Sequence, residues 1–193
     1  MPAHVKNSLD GGATNKSSKV KVILIFVSTL DGKVTKWGNP DIKRWSSHQD
    51  QDYYKGVWNE SRLIVMGSNT FKADTFKPSP DQQLIIMTTN PGKYKSSQVR
   101  GQIDFSNESP VALVARYKNE GYEQMLVIGG PHVATSFLKE QLIDELWLTI
   151  EPKIFGTGSN FATEANLDIN LHLLHVERAN EQGTLMTKYA VLK

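Results

Sequence analysis

Three short stretches place glycine and hydroxyl side chains where an apolar run stops, and that combination suits phosphate binding. Residues 125–128 are apolar and lead into Gly129, Gly130 and Pro131; residues 62–66 lead into Gly67, Ser68, Asn69 and Thr70; residues 83–87 lead into Thr88, Thr89 and Asn90. A turn without side chains lets an anion approach bare backbone amides, and the dipole of a following helix favours phosphate or pyrophosphate there. Thr70 is a candidate phosphate donor, while Ser68 either contacts a ligand or caps a helix. His132 stands at a helix start, where ligand contact and plain solvation are both open readings. Any one of these turns alone is equally well an ordinary strand-to-helix connection. A fourth position is Asp31, in Ser-Thr-Leu-Asp-Gly-Lys just after the β-branched run 20–27. It reads either as a turn-former capped by its own backbone or as a carboxylate at a ligand crevice.

The elements needed to position these residues can be read from periodicity. The runs 20–27, 62–66, 83–88 and 125–128 are short and almost wholly apolar, as central strands covered on both faces are. Pro131 suits a first helical turn, and Val133, Ala134, Phe137, Leu138 and Leu142 recur at helical spacing behind it. Ser46 or Ser47 caps a helix whose apolar face holds Tyr53, Tyr54, Val57 and Trp58; Asp50 and Asp52 fall in it without a fixed phase. A further helix spans 110–120 with Gly121 closing it, and 99–105 reads as a short edge strand. Residues 146–150 form a strand that ends by Pro152, and 171–178 with 184–192 form an antiparallel hairpin. The expectation is one α/β domain over 19–193, with a largely parallel central sheet flanked by helices and a C-terminal antiparallel hairpin. In a parallel sheet the three glycine or threonine turns share one edge. They then converge on a single crevice, which fits an extended ligand such as a dinucleotide.

Composition removes several alternatives. The chain has no cysteine, so it has neither disulfides nor a thiolate metal site, and its net charge of +2 is scattered, without the basic footprint of a nucleic-acid binder. No apolar run reaches the roughly 20 residues of a membrane span. Residues 1–18 are polar and read as a disordered tail rather than a signal peptide, so a cytoplasmic protein is expected. There is no G-x-G-x-x-G after the first strand, no Walker motif, no G-x-S-x-G and no H-E-x-x-H. His172 and His175, three residues apart on one strand, are assigned to opposite faces, and no metal site is expected.

Five motifs in order then carry a family resemblance: residues 28–33, Val65-Met66-Gly67-Ser68-Asn69-Thr70-Phe71, Ile128-Gly129-Gly130, residues 142–146, and Pro152-Lys153-Ile154-Phe155-Gly156-Thr157-Gly158. The set resembles the reductase domain of riboflavin-biosynthesis deaminase-reductases, which shares the dihydrofolate reductase fold, and is most similar to its stand-alone members. The resemblance implies NADPH lying across the strand ends and a hydride passed to a C=N or C=O of a small heterocycle. By the same resemblance, Gly67 and Thr70 contact the cofactor phosphates and Thr88, Thr89 and Asn90 lie by the adenosine ribose. Ile128, Gly129, Gly130, Pro131, His132, Val133 and Ala134 form the pyrophosphate turn. Ser28, Asp31 and Gly32 belong to the substrate and nicotinamide side, with Gly156 and Gly158 on the late loop beside it. Asp31 is the candidate for orienting the substrate or relaying a proton. Ser68 stands where dihydrofolate reductases carry an arginine, which leaves NADH open beside NADPH. No buried acid of the folate-binding type is evident between Trp45 and Glu60. A non-catalytic nucleotide-binding module and a true dihydrofolate reductase are the alternatives, and a homodimer through the C-terminal strands is implied.

Overall fold

A computed structural model describes residues 19–193; the expected disordered tail, 1–18, lies outside the described residues. Eight strands form one sheet in the order β4-β3-β2-β5-β1-β6-β8-β7. In chain order these are β1 (Lys21–Thr29), β2 (Leu63–Gly67), β3 (Gln83–Met87), β4 (Ile103–Ser106), β5 (Gln124–Val127), β6 (Glu145–Glu151), β7 (Asn170–Arg178) and β8 (Leu185–Leu192). All pairings from β4 across to β6 are parallel, and β8 runs antiparallel to both β6 and β7. The α/β architecture expected from the strand and helix pattern, a largely parallel sheet with a C-terminal antiparallel hairpin, is therefore present.

Continuous apolar strands arise because both sheet faces are covered. From Val22 onward every residue of β1 is buried. Alternate residues go to opposite sides: Leu24, Phe26, Val65, Ile85 and Val127 pack under α3 (Pro110–Asn119) and α4 (Pro131–Lys139). Ile23, Ile25, Ile64, Met66 and Leu126 pack with Val57 of α1 (His48–Glu60). Each fully buried side chain of this size contributes about 1.5–3 kcal/mol, so the register that serves both faces is strongly fixed.

Two local expectations change. The strand expected over 99–105 is confined to β4, because Gly101 turns the chain at a φ of 75° and Val99 makes only an isolated bridge to Ile103. In β7 the register shifts between Leu173 and His175, so His172 faces Ala190 while His175 faces Lys188. Those partners are two residues apart, which puts both histidines on one face rather than opposite ones. The bulge adds the extra residue that simple alternation misses. Among the described residues no cluster of three or more metal-ligating side chains forms.

Candidate active site

The glycine turns meet in the middle of the parallel edge. Gly67 N–H donates to Gly129 O at 2.8 Å, tying the turn after β2 to the turn after β5. A Cβ on Gly67 would lie 3.1 Å from Val133 Cγ2, one on Gly130 would lie 3.2 Å from Thr70 Oγ1, and one on Gly129 would lie 2.9 Å from the Phe26 ring. Gly129 also has a φ of 103° and joins Gly130 through a cis peptide bond. The result is a side-chain-free floor at these turns, where an added Cβ would crowd Val133 and Thr70 and clash with Phe26. Pro131 opens α4 without an N–H, and Ala134 N–H is spent on Gly130 O. His132 and Val133 therefore supply the first-turn amides. The side chains of Val133 and Ala134 are buried and support the turn from beneath, whereas His132 is exposed. Ile128 anchors the approach through its N–H to Val65 O.

On the β3 side, Ser68 is the first residue of α2 (Ser68–Ala73) with Gly67 as its N-cap, so Ser68 does not cap the helix. Thr88 is partly exposed and Thr89 and Asn90 are open; Asn90 N–H donates to Thr88 Oγ1 at 3.3 Å. Behind this loop the Tyr94 ring stacks on Phe105 at 4.8 Å, and Lys72 Nζ lies 5.5 Å from the Tyr94 centroid. Lys72, and after it Ser68, hold the Tyr94 phenol below its ordinary pKa. No described ion pair uses Lys72 or Lys93.

At the other end, the segment after β1 is laced to the late loop. Asp31 accepts from Thr29 Oγ1, from Phe155 N–H at 3.2 Å and from Gly156 N–H at 2.8 Å. Leu30 N–H reaches Lys153 O, and Val34 N–H reaches Ser159 O. Gly158 is required here: a Cβ would fall 2.0 Å from Thr35 O. Gly32, at a φ of 74°, closes the turn by donating to Thr29 O. The donors, Thr29 foremost, hold the Asp31 carboxyl below its ordinary pKa. An oxyanion with its acceptor sites filled by its own chain ties two loops together, and that geometry fits a tether better than a proton donor. Ser28 is buried opposite Ile150 in the β1–β6 register.

The acid that fits proton work is one the sequence reading leaves without a phase. Asp50, in the first turn of α1, is 5% exposed. Burial pushes its carboxyl up to about 6, against hydrogen bonding from Thr149 and Ser46, which lowers it, and the charge of Glu151 also raises it. Thr149 belongs to β6 and pairs with Val27, so the acid sits beside the C-terminal ends of β1 and β6. Ser47, the N-cap of α1, accepts from Asp50 N–H and fixes this turn. Nearby, Trp45 Nε1 is buried without a hydrogen-bond partner. A signal was present: Asp50, Tyr54 and Val57 stand at i, i+4 and i+7, which is one helix face.

Comparison with known proteins agrees with this architecture. The model of the RibD C-terminal domain family matches residues 20–185, and the chain belongs to that family. It is 25% identical over 158 residues to the Bacillus subtilis (strain 168) protein YwjB, described as uncharacterized, covering 79% of this chain and 88% of that one. A pyrimidine reductase-like protein from Corynebacterium diphtheriae has a TM-score of 0.72 at 14% identity, covering 91% of this chain and 93% of the other. A dihydrofolate reductase from Enterococcus faecalis, solved with NADP(H) and RAB-propyl, has a TM-score of 0.61 at 20% identity, covering 91% of this chain and 99% of the other. The chain is an oxidoreductase of the reductase type to which that family belongs.

Proposed function

We propose that this protein is an NADPH-dependent reductase acting on a C=N or C=O bond of a small heterocycle, a riboflavin precursor or a pterin-like ring. The observation that carries the reading is the placement of two kinds of site on one sheet edge: a glycine cleft floor at β2 and β5, and a buried protonatable acid, Asp50, at β1 and β6. The residues present fit a nicotinamide dinucleotide, because Gly129 and Gly130 leave the backbone bare of side chains at the N-terminus of α4, as a pyrophosphate needs. When bound, the cofactor supplies the hydride.

The chain's own residues do the rest. The amides of His132 and Val133 and the Thr70 hydroxyl bind the pyrophosphate. Lys72 and Lys93, free of ion pairs among the described residues, with Tyr94 between them, support NADPH over NADH at the β3 end by offering charge to a phosphate monoester. Thr88, Thr89 and Asn90 line the same end. Asp50, its carboxyl raised to about 6 by burial, takes up a proton more readily than an ordinary aspartate and gives it to the substrate atom that gains electron density as hydride arrives. Asp31 holds the late loop, including Gly156, over the reacting end and excludes water. Asp50 is also a specific reason to keep dihydrofolate among the substrates, since a buried acid suits an amino-pyrimidine edge.

We extend the reading to a homodimer through β7. Every residue of that edge strand is exposed, and Leu171, Leu173 and Val176 share the face that continues the α3–α4 side of the core. Such an edge is what an isolated chain avoids.

The test is thermal unfolding with NADPH, NADH or no ligand, followed by NADPH consumption against imines, pterins and riboflavin precursors. Cofactor at 100 times Kd stabilises by about 2.7 kcal/mol, which at this chain length raises Tm by roughly 5–10 °C. No shift with either nucleotide sinks the proposal. Turnover of dihydrofolate blocked by methotrexate selects the folate reading within it.

A further inference from the structure

Glu151 is the most deeply buried carboxylate among the described residues, at 1% exposure, and it has no cationic partner there. One oxygen accepts from Ser47 N–H at 2.7 Å and the other from Thr184 Oγ1 at 2.9 Å. Thr184 accepts in turn from Asn180 Nδ2 at 2.9 Å, which anchors the arrangement in the β7–β8 turn. Ser47 is the N-cap whose hydroxyl receives Asp50 N–H. Three elements, the start of α1, the end of β6 and the β7–β8 turn, therefore converge on this one side chain. Burying a carboxylate without a cation is unfavourable, and a neutral residue would serve as a bolt with less penalty. An acid stands there instead, linked through Ser47 to the turn that carries the buried Asp50.

We infer that Glu151 is the positioning residue for Asp50: it fixes the first turn of α1 and its negative charge keeps the proton on Asp50. Both Glu151 oxygens are met by donors of the chain itself, Ser47 N–H and Thr184 Oγ1. A negative charge beside a second buried acid disfavours ionisation of that acid. The other groups around Asp50 do not supply this effect. Tyr53 and Tyr54, on its own helix, are held neutral, each chiefly by burial. Lys188 of β8 is spent over the Trp147 ring, 4.0 Å from its centroid, and over Tyr53. Lys153 Nζ donates to Trp45 O. The consequence for turnover rests on the proposed reductase function, in which Asp50 must be protonated to act. The placement of the charge does not.

The test is titration of the Asp50 carboxyl by carbon-13 NMR in the apo protein, assigned by its loss in Asp50→Asn. It uses wild type, Glu151→Gln, Glu151→Asp and Thr184→Val. Removing the charge in Glu151→Gln is expected to lower the Asp50 midpoint by about half a unit to one unit. Burial, the larger cause, stays in place. Glu151→Asp retains the charge and is expected to hold the midpoint. Thr184→Val removes one tie while leaving the charge, and is likewise expected to hold it. An unchanged midpoint in Glu151→Gln, or an equal fall in Glu151→Asp, overturns the inference. If Glu151→Gln does not fold, a fall in Thr184→Val overturns it and a constant value with folded Glu151→Asp supports it. Neither cofactor nor substrate is present, so failure here and failure of the reductase reading are read separately.

Discussion

Replacing Asp50 by Asn should make the protein more stable at neutral pH while removing its reductase activity. An ordinary aspartate has a pKa of 3.8, and burial brings Asp50 to about 6 in the folded chain. Between those two values the folded state binds more protons than the unfolded state. Unfolding free energy then falls as pH rises, with a slope set by that proton difference. The Asp50 contribution is full below pH 3.8, is lost progressively up to about pH 6 and is constant above it. A difference of about two units at 1.36 kcal/mol each comes to roughly 3 kcal/mol. Asn has nearly the same shape, and its amide can engage the Thr149 and Ser46 hydroxyls without a charge to desolvate. Wild type and Asp50→Asn should therefore have similar stabilities near pH 4 and differ by about 3 kcal/mol at pH 7. In urea, with a slope of about 2 kcal/mol/M, that is a midpoint displacement of roughly 1.5 M. The assay is urea unfolding of both proteins from pH 4 to pH 8. Carboxylates that do not interact with Asp50 cancel in the difference, because both chains carry them. A gap that is the same at every pH would refute the reasoning, since an unshifted acid gives no pH-dependent term. So would a gap that widens toward low pH.

Other outcomes follow from the same geometry. Gly130→Ala places a methyl 3.2 Å from Thr70 Oγ1, and should weaken NADPH binding at least about tenfold, or roughly 1.4 kcal/mol, with fold retained; calorimetric titration reads it. Asp31→Asn should accelerate hydrogen exchange at the Phe155 and Gly156 amides and lower turnover without moving the midpoint of the pH profile, because its carboxylate ties a loop. Lys72→Ala should reduce the preference for NADPH over NADH about tenfold, measured as the ratio of dissociation constants. Leu173→Glu, on the exposed β7 face, should convert a dimer to a monomer in light scattering.

Much of this was legible in the chain itself. The glycine turns are local: an apolar run, two small residues and a helix start sit within ten positions, so their existence does not depend on distant contacts, and their common edge follows from the parallel pairing of β2 with β3 and β5. Asp50 is different. Its phase on α1 follows from Tyr54 and Val57, yet its burial depends on Thr149 and Glu151, about a hundred residues away in sequence. Asp31 shows the reverse problem, because a carboxylate after a strand end reads as chemistry until Phe155 and Gly156 occupy it. The β7 bulge was invisible for a related reason. Alternation predicts facing only while the ladder is regular, and the shift after Leu173 depends on pairing with β8.

These separations have a consequence for how such a site can change. In the proposed reductase, binding at the centre of the edge falls to the backbone, and a Cβ at Gly67, Gly129 or Gly130 meets a neighbour at 3.2 Å or less. Sequence change there is therefore met with steric conflict whatever the substrate. The reacting end is built from side chains on α1, β6 and the late loop. Its acid is tuned by burial and by hydroxyls rather than by a fixed ion pair. Moving a hydroxyl or exchanging Trp45 alters what is recognised without touching the cleft floor. A reductase built this way can keep one cofactor while its substrate changes, because the two tasks fall on different strands of the same sheet.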